Sequence, residues 1–162
     1  MKIRKAWGSH LPVLMKVLSI TEGDVLELGM GLYSSPFLYW ACFEKRKLVS
    51  YDNDPKYFHW NKEYESPLHE VYLVEDWDKI DIEKPWDVVL VDHAPAERRI
   101  EEITRLSQFA KYVVVHDTQK RNEFAYHYSK IYPLFKYHYK YRNVKPHTSV
   151  LSNFIDISKL EI

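Results

Sequence analysis

The stretch Val25-Leu26-Glu27-Leu28-Gly29-Met30-Gly31-Leu32-Tyr33-Ser34-Ser35-Pro36 leaves the chain few ways to fold. Val25 to Leu28 reads as a short buried strand interrupted by Glu27. Gly29 and Gly31 end it, and a helix begins near Ser34. A strand that runs into a glycine turn and then a helix is how α/β proteins build a backbone cradle for a nucleotide. Glycine lets the main chain approach the ligand, because a Cβ would stand in the way. Glu27 is the unusual residue, since a carboxylate in a buried strand is costly unless it is paired or hydrogen-bonded. Its place beside the turn suggests two duties: anchoring backbone amides, or facing a polar, partly cationic ligand.

The rest of the chain repeats the alternation that this stretch starts. Leu11, Leu14, Met15 and Leu18 share one helical face, with Ser9 able to cap the start. That helix either covers the cleft, with Trp7 or His10 near its mouth, or packs on the sheet edge. Phe37 to Phe43 suit a helix, and Lys47 to Tyr51 a second strand ending at Asp52-Asn53-Asp54-Pro55. Asp54 before Pro55 is placed to cap a helix over Pro55 to Glu63. An acidic residue roughly 20 positions past the glycines suits hydrogen bonds to ribose hydroxyls, and Asp52 fits that position, with Asn53 beside it. His69 to Glu75 read as a third strand, followed by Asp76-Trp77. Val88 to Val91 form an apolar central strand ending at Asp92-His93, and Ile100, Ile103 and Leu106 mark the helix after it. Tyr112 to Val115 repeat the strand pattern and end at His116-Asp117-Thr118.

Residues 121–132 read as helical. Phe135 to Tyr141 and Ser149 to Ile157 then alternate as a closing antiparallel pair. Five strand–helix alternations and a hairpin predict one α/β domain over 1–162, with a mostly parallel sheet. Its parts are an N-terminal helix (1–20), a nucleotide-binding core (24–118) and the closing hairpin (134–157).

Composition narrows the functional classes. The chain has 162 residues, 46% hydrophobic and 28% charged, which suits one globular domain with a proper core. Lys plus Arg equals Asp plus Glu at 23 each, so no global charge draws in nucleic acid or anionic membrane. Cys42 is the single cysteine, which excludes an internal disulfide, and its apolar neighbours place it in the core. No apolar run approaches the roughly 20 residues that span a bilayer, and no secretory signal opens the chain. Cytoplasm is the default location. Nothing in the sequence sets the oligomeric state, and a homodimer is compatible with it.

The Val25–Pro36 stretch resembles the first motif of class I S-adenosylmethionine (SAM) methyltransferases. There an acidic residue closes the strand two positions before the first glycine. A dinucleotide-binding dehydrogenase would want a third glycine where Ser34 stands. SAM carries a sulfonium and an ammonium, which suit a carboxylate near the turn better than a pyrophosphate does. The element order is similar to the minimal seven-stranded methyltransferase fold, a single-domain Rossmann-like three-layer arrangement with a mostly parallel sheet and an antiparallel C-terminal hairpin. The resemblance implies SAM contacts from Glu27, Gly29, Met30, Gly31, Tyr33, Ser34, Asp52 and Asn53. It places adenine at Asp76-Trp77, and Asp92 or Asp117 would contact the ammonium of SAM.

Two central strands that each end in a His and Asp pair point to the chemistry. The site partly resembles metal-dependent O-methyltransferases, whose strand-end carboxylates bind a divalent cation. By that route Asp92 and Asp117 would hold an ion such as Mg²⁺. Two positions depart from the pattern: Thr118 stands where an amide ligand is expected, and Pro95 where a lysine base is expected. By the second route His93 or His116 acts as general base without metal, and Asp92 or Asp117 orients it. Arg98 and Arg99 either match an acidic substrate group or open a solvated helix. The leading acceptor is an oxygen of a small molecule or sugar. A second reading is methylation of RNA or protein by a hairpin in which Lys136, Lys140, Arg142 and Lys145 interleave with Tyr137, Tyr139 and Tyr141. The third is a nucleotide-binding module without catalysis.

Overall fold

The computed structural model describes residues 4–162, so positions 1–3 of the expected N-terminal helical span lie outside it. Seven strands form one sheet: β1 (Val25–Leu28), β2 (Leu48–Asp52), β3 (His69–Leu73), β4 (Trp86–Val91), β5 (Ala110–Val115), β6 (Tyr137–Tyr141) and β7 (Thr148–Ser152). Their order is β3-β2-β1-β4-β5-β7-β6. The first five run parallel, and β7 is antiparallel to both β5 and β6. The mostly parallel sheet with an antiparallel closing hairpin is therefore as the sequence predicts.

Side-chain alternation divides the core between the two faces of the sheet. Leu26, Leu28, Val89 and Val91 pack with Ile103, Leu106 and Tyr128 on one face. Val25, Val88 and Leu90 pack on the other with Val13, Leu14 and Val17 of helix α1 (Leu11–Ser19) and Leu38 of α2 (Ser34–Cys42). Each such apolar side chain, fully buried, contributes roughly 1.5–3 kcal/mol, which explains why β-branched and leucine-rich strands sit centrally. Cys42 joins the α2 side of the core, as expected.

The remaining helices are α3 (Pro55–Asn61), α4 (Arg99–Leu106) and α5 (Glu123–Tyr126). Asp54 caps α3 as its sequence suggests, its side chain accepting from the Lys56 amide at 2.8 Å. Other expectations need correction. No α-helix joins β3 to β4, and a 3₁₀ turn at Trp77–Lys79 takes its place because Trp77 tucks into the core. Residues 121–132 break into α5 and short 3₁₀ turns, with His127 left-handed at φ 51°. β7 stops at Ser152, whose hydroxyl accepts from the Phe154 and Ile155 amides and turns the chain. Ser9 does not cap α1. The cap position is His10, and the Ser9 hydroxyl is used elsewhere.

The order places β1 between β2 and β4, so the chain winds away from β1 in both directions. The crevice at the carboxyl ends of those strands is where open α/β sheets bind ligands.

Candidate functional site

A cavity of about 410 Å³ opens at those strand ends. One end is made by the turn after β1. Gly29 adopts φ +96°, and a Cβ there would meet the His93 amide nitrogen at 2.4 Å and the Asp92 carbonyl carbon at 2.5 Å. Only glycine allows the turn to lie this close to the end of β4. Gly29 is thus a spacer between two parts of the site and is not itself on the cavity wall. Met30, Gly31, Tyr33, Ser34 and Asp52 do line the cavity. Asp52 fixes the turn, since Oδ2 accepts from the Met30 amide at 2.7 Å and Oδ1 from the Asp54 amide at 2.7 Å. Burial pushes its pKa up to about 6, opposed by those amides. Both oxygens keep lone pairs, so the carboxylate can still accept from ligand hydroxyls.

Glu27 departs from its expected duty. Its carboxylate is fully buried, accepts from Ser35 Oγ at 2.8 Å and Ser50 Oγ at 2.7 Å, and does not line the cavity. The register explains this: Glu27 lies beside Ser50 of β2, on the sheet face covered by α2. It still serves the turn at one remove, because Ser35 Oγ also accepts from the Gly31 amide at 3.0 Å. Burial raises its pKa to about 7, against the lowering effect of the Ser34, Ser50 and Ser35 hydroxyls.

The expected adenine corner also differs. Asp76 is an exposed cap that accepts from the Asp78 amide at 3.0 Å and pairs with Lys79. Trp77 is buried against His93, ring centroids 4.2 Å apart, and neither Asp76 nor Trp77 lines the cavity. Asn53 is exposed and lies off the wall too. Asp54, the cap of α3, and Tyr57 within that helix line it instead, and no sequence signal marked Tyr57.

The other end of the cavity is built from β4, β5 and the segment before α1. Val91 pairs with Val115, which sets Asp92 beside His116 and His93 beside Asp117. Alternation then sends the first pair toward Ser9 and His10. It sends His93 to the opposite face. His116 Nδ1 bonds Asp92 Oδ2 at 3.1 Å and Nε2 bonds Ser9 Oγ at 2.8 Å. The Ser9 proton goes to the Pro146 carbonyl at 2.8 Å, so Nε2 must be the donor. Both ring nitrogens then carry protons. Burial opposes that charge, but the Asp92 carboxylate outweighs it and holds the His116 pKa above its ordinary value. A histidine kept cationic with both nitrogens engaged is a poor resting base, contrary to the expectation from sequence.

His93 is not available either. Its side chain is fully buried, with Nε2 3.0 Å from Glu102 Oε2, and burial lowers its pKa. The strand-end partners are instead locked by Arg99. Its guanidinium donates to the Asp92 and His93 carbonyls at 2.7 Å each, and pairs with Asp92 Oδ1 at 2.9 Å. It also lies 3.8 Å from Asp117 Oδ2, which accepts from Tyr126 Oη at 3.0 Å. Burial alone would raise the Asp92 pKa, yet the His116 and Arg99 charges hold it well below the carboxylate range. Arg99 thus faces inward and serves no substrate anion. Arg98 pairs with Asp78 and Glu102.

An Asp92–Asp117 site for Mg²⁺ does not fit these residues. The guanidinium already occupies the space between the carboxylates and meets their charge. The other donors around Asp92 are imidazole nitrogens, which Mg²⁺ does not favour. Asp117 itself adopts φ 61° and lines the cavity with His10 and His116. His10 and Trp7 both reach the cavity wall, as one reading of the N-terminal helix has it. Ser9 and Arg99 could have been found only by knowing which strand ends meet them.

The closing hairpin is less open than its sequence suggests. Tyr141 is buried, Tyr137 and Tyr139 pack against the core, and Lys140 Nζ donates to the Thr118 carbonyl. No helix among the described residues is long and apolar enough to cross a membrane.

No protein-family model matches the sequence, and no curated relative does. Solved structures do resemble the fold. Cofactor-bound Rv0187 from MTB superposes with a TM-score of 0.71 at 17% identity, covering 96% of this chain and 83% of that one. Human methyltransferase-like protein 13 in complex with SAH gives 0.68 at 12% identity, covering 95% and 85%. The O-methyltransferase TomG from Streptomyces achromogenes, involved in tomaymycin synthesis and in complex with SAM, gives 0.65 at 17%, covering 93% and 81%. At these identities the likeness establishes the Rossmann-like methyltransferase fold of this chain.

Proposed function

We propose that the protein is an enzyme that transfers the methyl group of SAM to an oxygen of a small molecule or sugar. The observation that carries this reading is one cavity with two chemically different ends. The turn and Asp52 form a nucleoside end, and His10, Asp92, His116 and Asp117 form an acceptor end. Its volume of about 410 Å³ falls in the range of roughly 300–1,000 Å³ usual for small-ligand sites. The inward placement of Lys140 and the hairpin tyrosines disfavours an RNA-binding face there.

SAM would supply a methyl group already activated as a sulfonium. The chain's part is to hold and align. Asp52 accepts from the ribose hydroxyls while its two backbone bonds keep the turn in place. Arg99 keeps Asp92 and Asp117 in position, and Asp92 keeps His116 cationic beside the acceptor. Asp117 Oδ2 is held by Tyr126, which leaves Oδ1 to take the proton of the acceptor hydroxyl. Alignment of this sort, with the acceptor about 3 Å from the methyl carbon, accounts for much of the rate such an enzyme needs.

Titration calorimetry with SAM and with NAD tests the reading. SAM should bind and NAD should not, and Asp52→Ala should weaken SAM by about tenfold to a hundredfold through lost hydrogen bonds. Asp117→Asn should lower turnover of labelled SAM across a panel of hydroxyl acceptors far more than it lowers SAM affinity. Tight NAD binding would overturn the proposal, and SAM binding with no turnover on any acceptor would favour the non-catalytic module.

A further inference from the structure

His10 is the least satisfied side chain in the cavity. It is 1% exposed, and neither ring nitrogen has a hydrogen-bond partner. A buried polar group left unpaired loses its water without compensation, so such a group calls for a partner. The ring packs edge-on against His116, centroids 4.8 Å apart. One ligand atom from each of His10, Asp92 and His116 lies within 4.8 Å of the others, and all three residues line the cavity.

We propose that His10, Asp92 and His116 bind a divalent first-row transition metal. Two imidazoles and one carboxylate suit zinc, cobalt, nickel or iron and not magnesium. Metal–nitrogen and metal–oxygen bonds of about 2.0–2.2 Å set neighbouring ligands roughly 3 Å apart. Asp92 Oδ2 and His116 Nδ1 already stand 3.1 Å apart, with a proton where the ion would sit. The ion displaces that proton to solvent, and no other bond of the pair has to break. His10 brings its nitrogen in by rotation of a ring that holds no hydrogen bond.

The surroundings are those that metal ligands need. A ligating histidine characteristically donates its second N–H to a fixed acceptor, which orients the ring. Here His116 Nε2–H donates to Ser9 Oγ, itself pinned to the Pro146 carbonyl. The spare Asp92 oxygen, Oδ1, is held by Arg99. The remaining coordination positions would face the cavity, where a bound hydroxyl would lose its proton more readily. That last consequence rests on the methyl-transfer reading; the binding site itself does not.

Metal-free protein titrated with Co²⁺ tests the site, with visible absorption reporting ligation. One equivalent should bind, Zn²⁺ should displace it, and Mg²⁺ at the same concentration should not. His10→Ala should weaken Co²⁺ at least about tenfold, and Ser9→Ala by about tenfold through loss of the ring's anchor. His10→Phe, which keeps the buried volume, carries the same test if the alanine variant melts early. Equal Co²⁺ affinity in wild type and both His10 variants would overturn the proposal, as would absence of a ligation spectrum. SAM titration of the metal-free wild-type protein reads the methyl-transfer proposal separately, so either can fail alone.

Discussion

The two ends of the cavity are made in opposite ways. The end proposed for the nucleoside is held through main-chain amides: Met30 and Asp54 both donate to Asp52, and Gly31 donates to Ser35. The end proposed for the acceptor draws on Ser9, Asp92, Arg99, His116 and Asp117, and side-chain charge holds it together. A backbone-built end asks only for a few glycines and caps, so many sequences can make it. A charge-built end asks for particular side chains from distant segments, and the fold must be complete before they meet. Stability at the first end comes mainly from permitted geometry, and at the second from mutual compensation of buried ions.

Gly29 is where the two ends touch, and its replacement should have the largest effect. Gly29→Val combines a left-handed backbone with a Cβ 2.4 Å from the His93 nitrogen. Strain and overpacking together should cost roughly 5 kcal/mol. The protein should therefore lose SAM binding because it loses its fold, and urea unfolding should show this directly. A well-folded variant that still binds SAM would mean that the ends are mechanically independent.

Arg99→Met tests the charge-built end alone. It leaves Asp92 and Asp117 without their cation and removes donors from two strand-end carbonyls. Breaking a buried ion pair from one side should cost about 4 kcal/mol in urea unfolding. Among molecules that remain folded, turnover should suffer more than SAM affinity, since no Arg99 atom supports the turn at Met30. A loss below about 1 kcal/mol would show that these carboxylates are adequately solvated without it.

This contrast explains what the sequence revealed. Alternation of short apolar strands with helices was enough for the sheet, because burial on both faces of β4 and β5 depends on residue type alone. The place of Asp52 on the cavity wall was legible because it follows from its distance past the glycines. His93 and His116 looked equivalent in sequence, and only the register of β4 against β5 separates a buried partner of Glu102 from a partner of Asp92. Arg99 sits on a polar helix start and gave no sign of facing inward. Glu27 was recognised as unusual, but its partners Ser35 and Ser50 come from a helix and a neighbouring strand. A motif fixes where such a carboxylate lies; it does not fix what it bonds.

Glu27 also supplies a smaller test, because it is the one buried acid that joins the backbone-built end to its support. Below pH 4.5 it is protonated in both folded and unfolded chains and costs nothing. As pH rises the unfolded chain ionises first, while the folded protein keeps its proton until about pH 7. Glu27's contribution to stability should therefore fall across pH 4.5 to 7 and level off above it, by on the order of 3 kcal/mol. Asp52, raised to about 6 by burial, adds a fall of the same sign. Glu27→Gln cannot ionise, so it should remove Glu27's share and leave that of Asp52. Urea unfolding of both proteins at pH 4.5, 6 and 8 isolates the difference. Asp92 contributes nothing to this window, since its neighbours keep it ionised throughout. Parallel curves would mean that Glu27 titrates alike in the folded and unfolded chain, and the distinction between the two ends would fail at its clearest point.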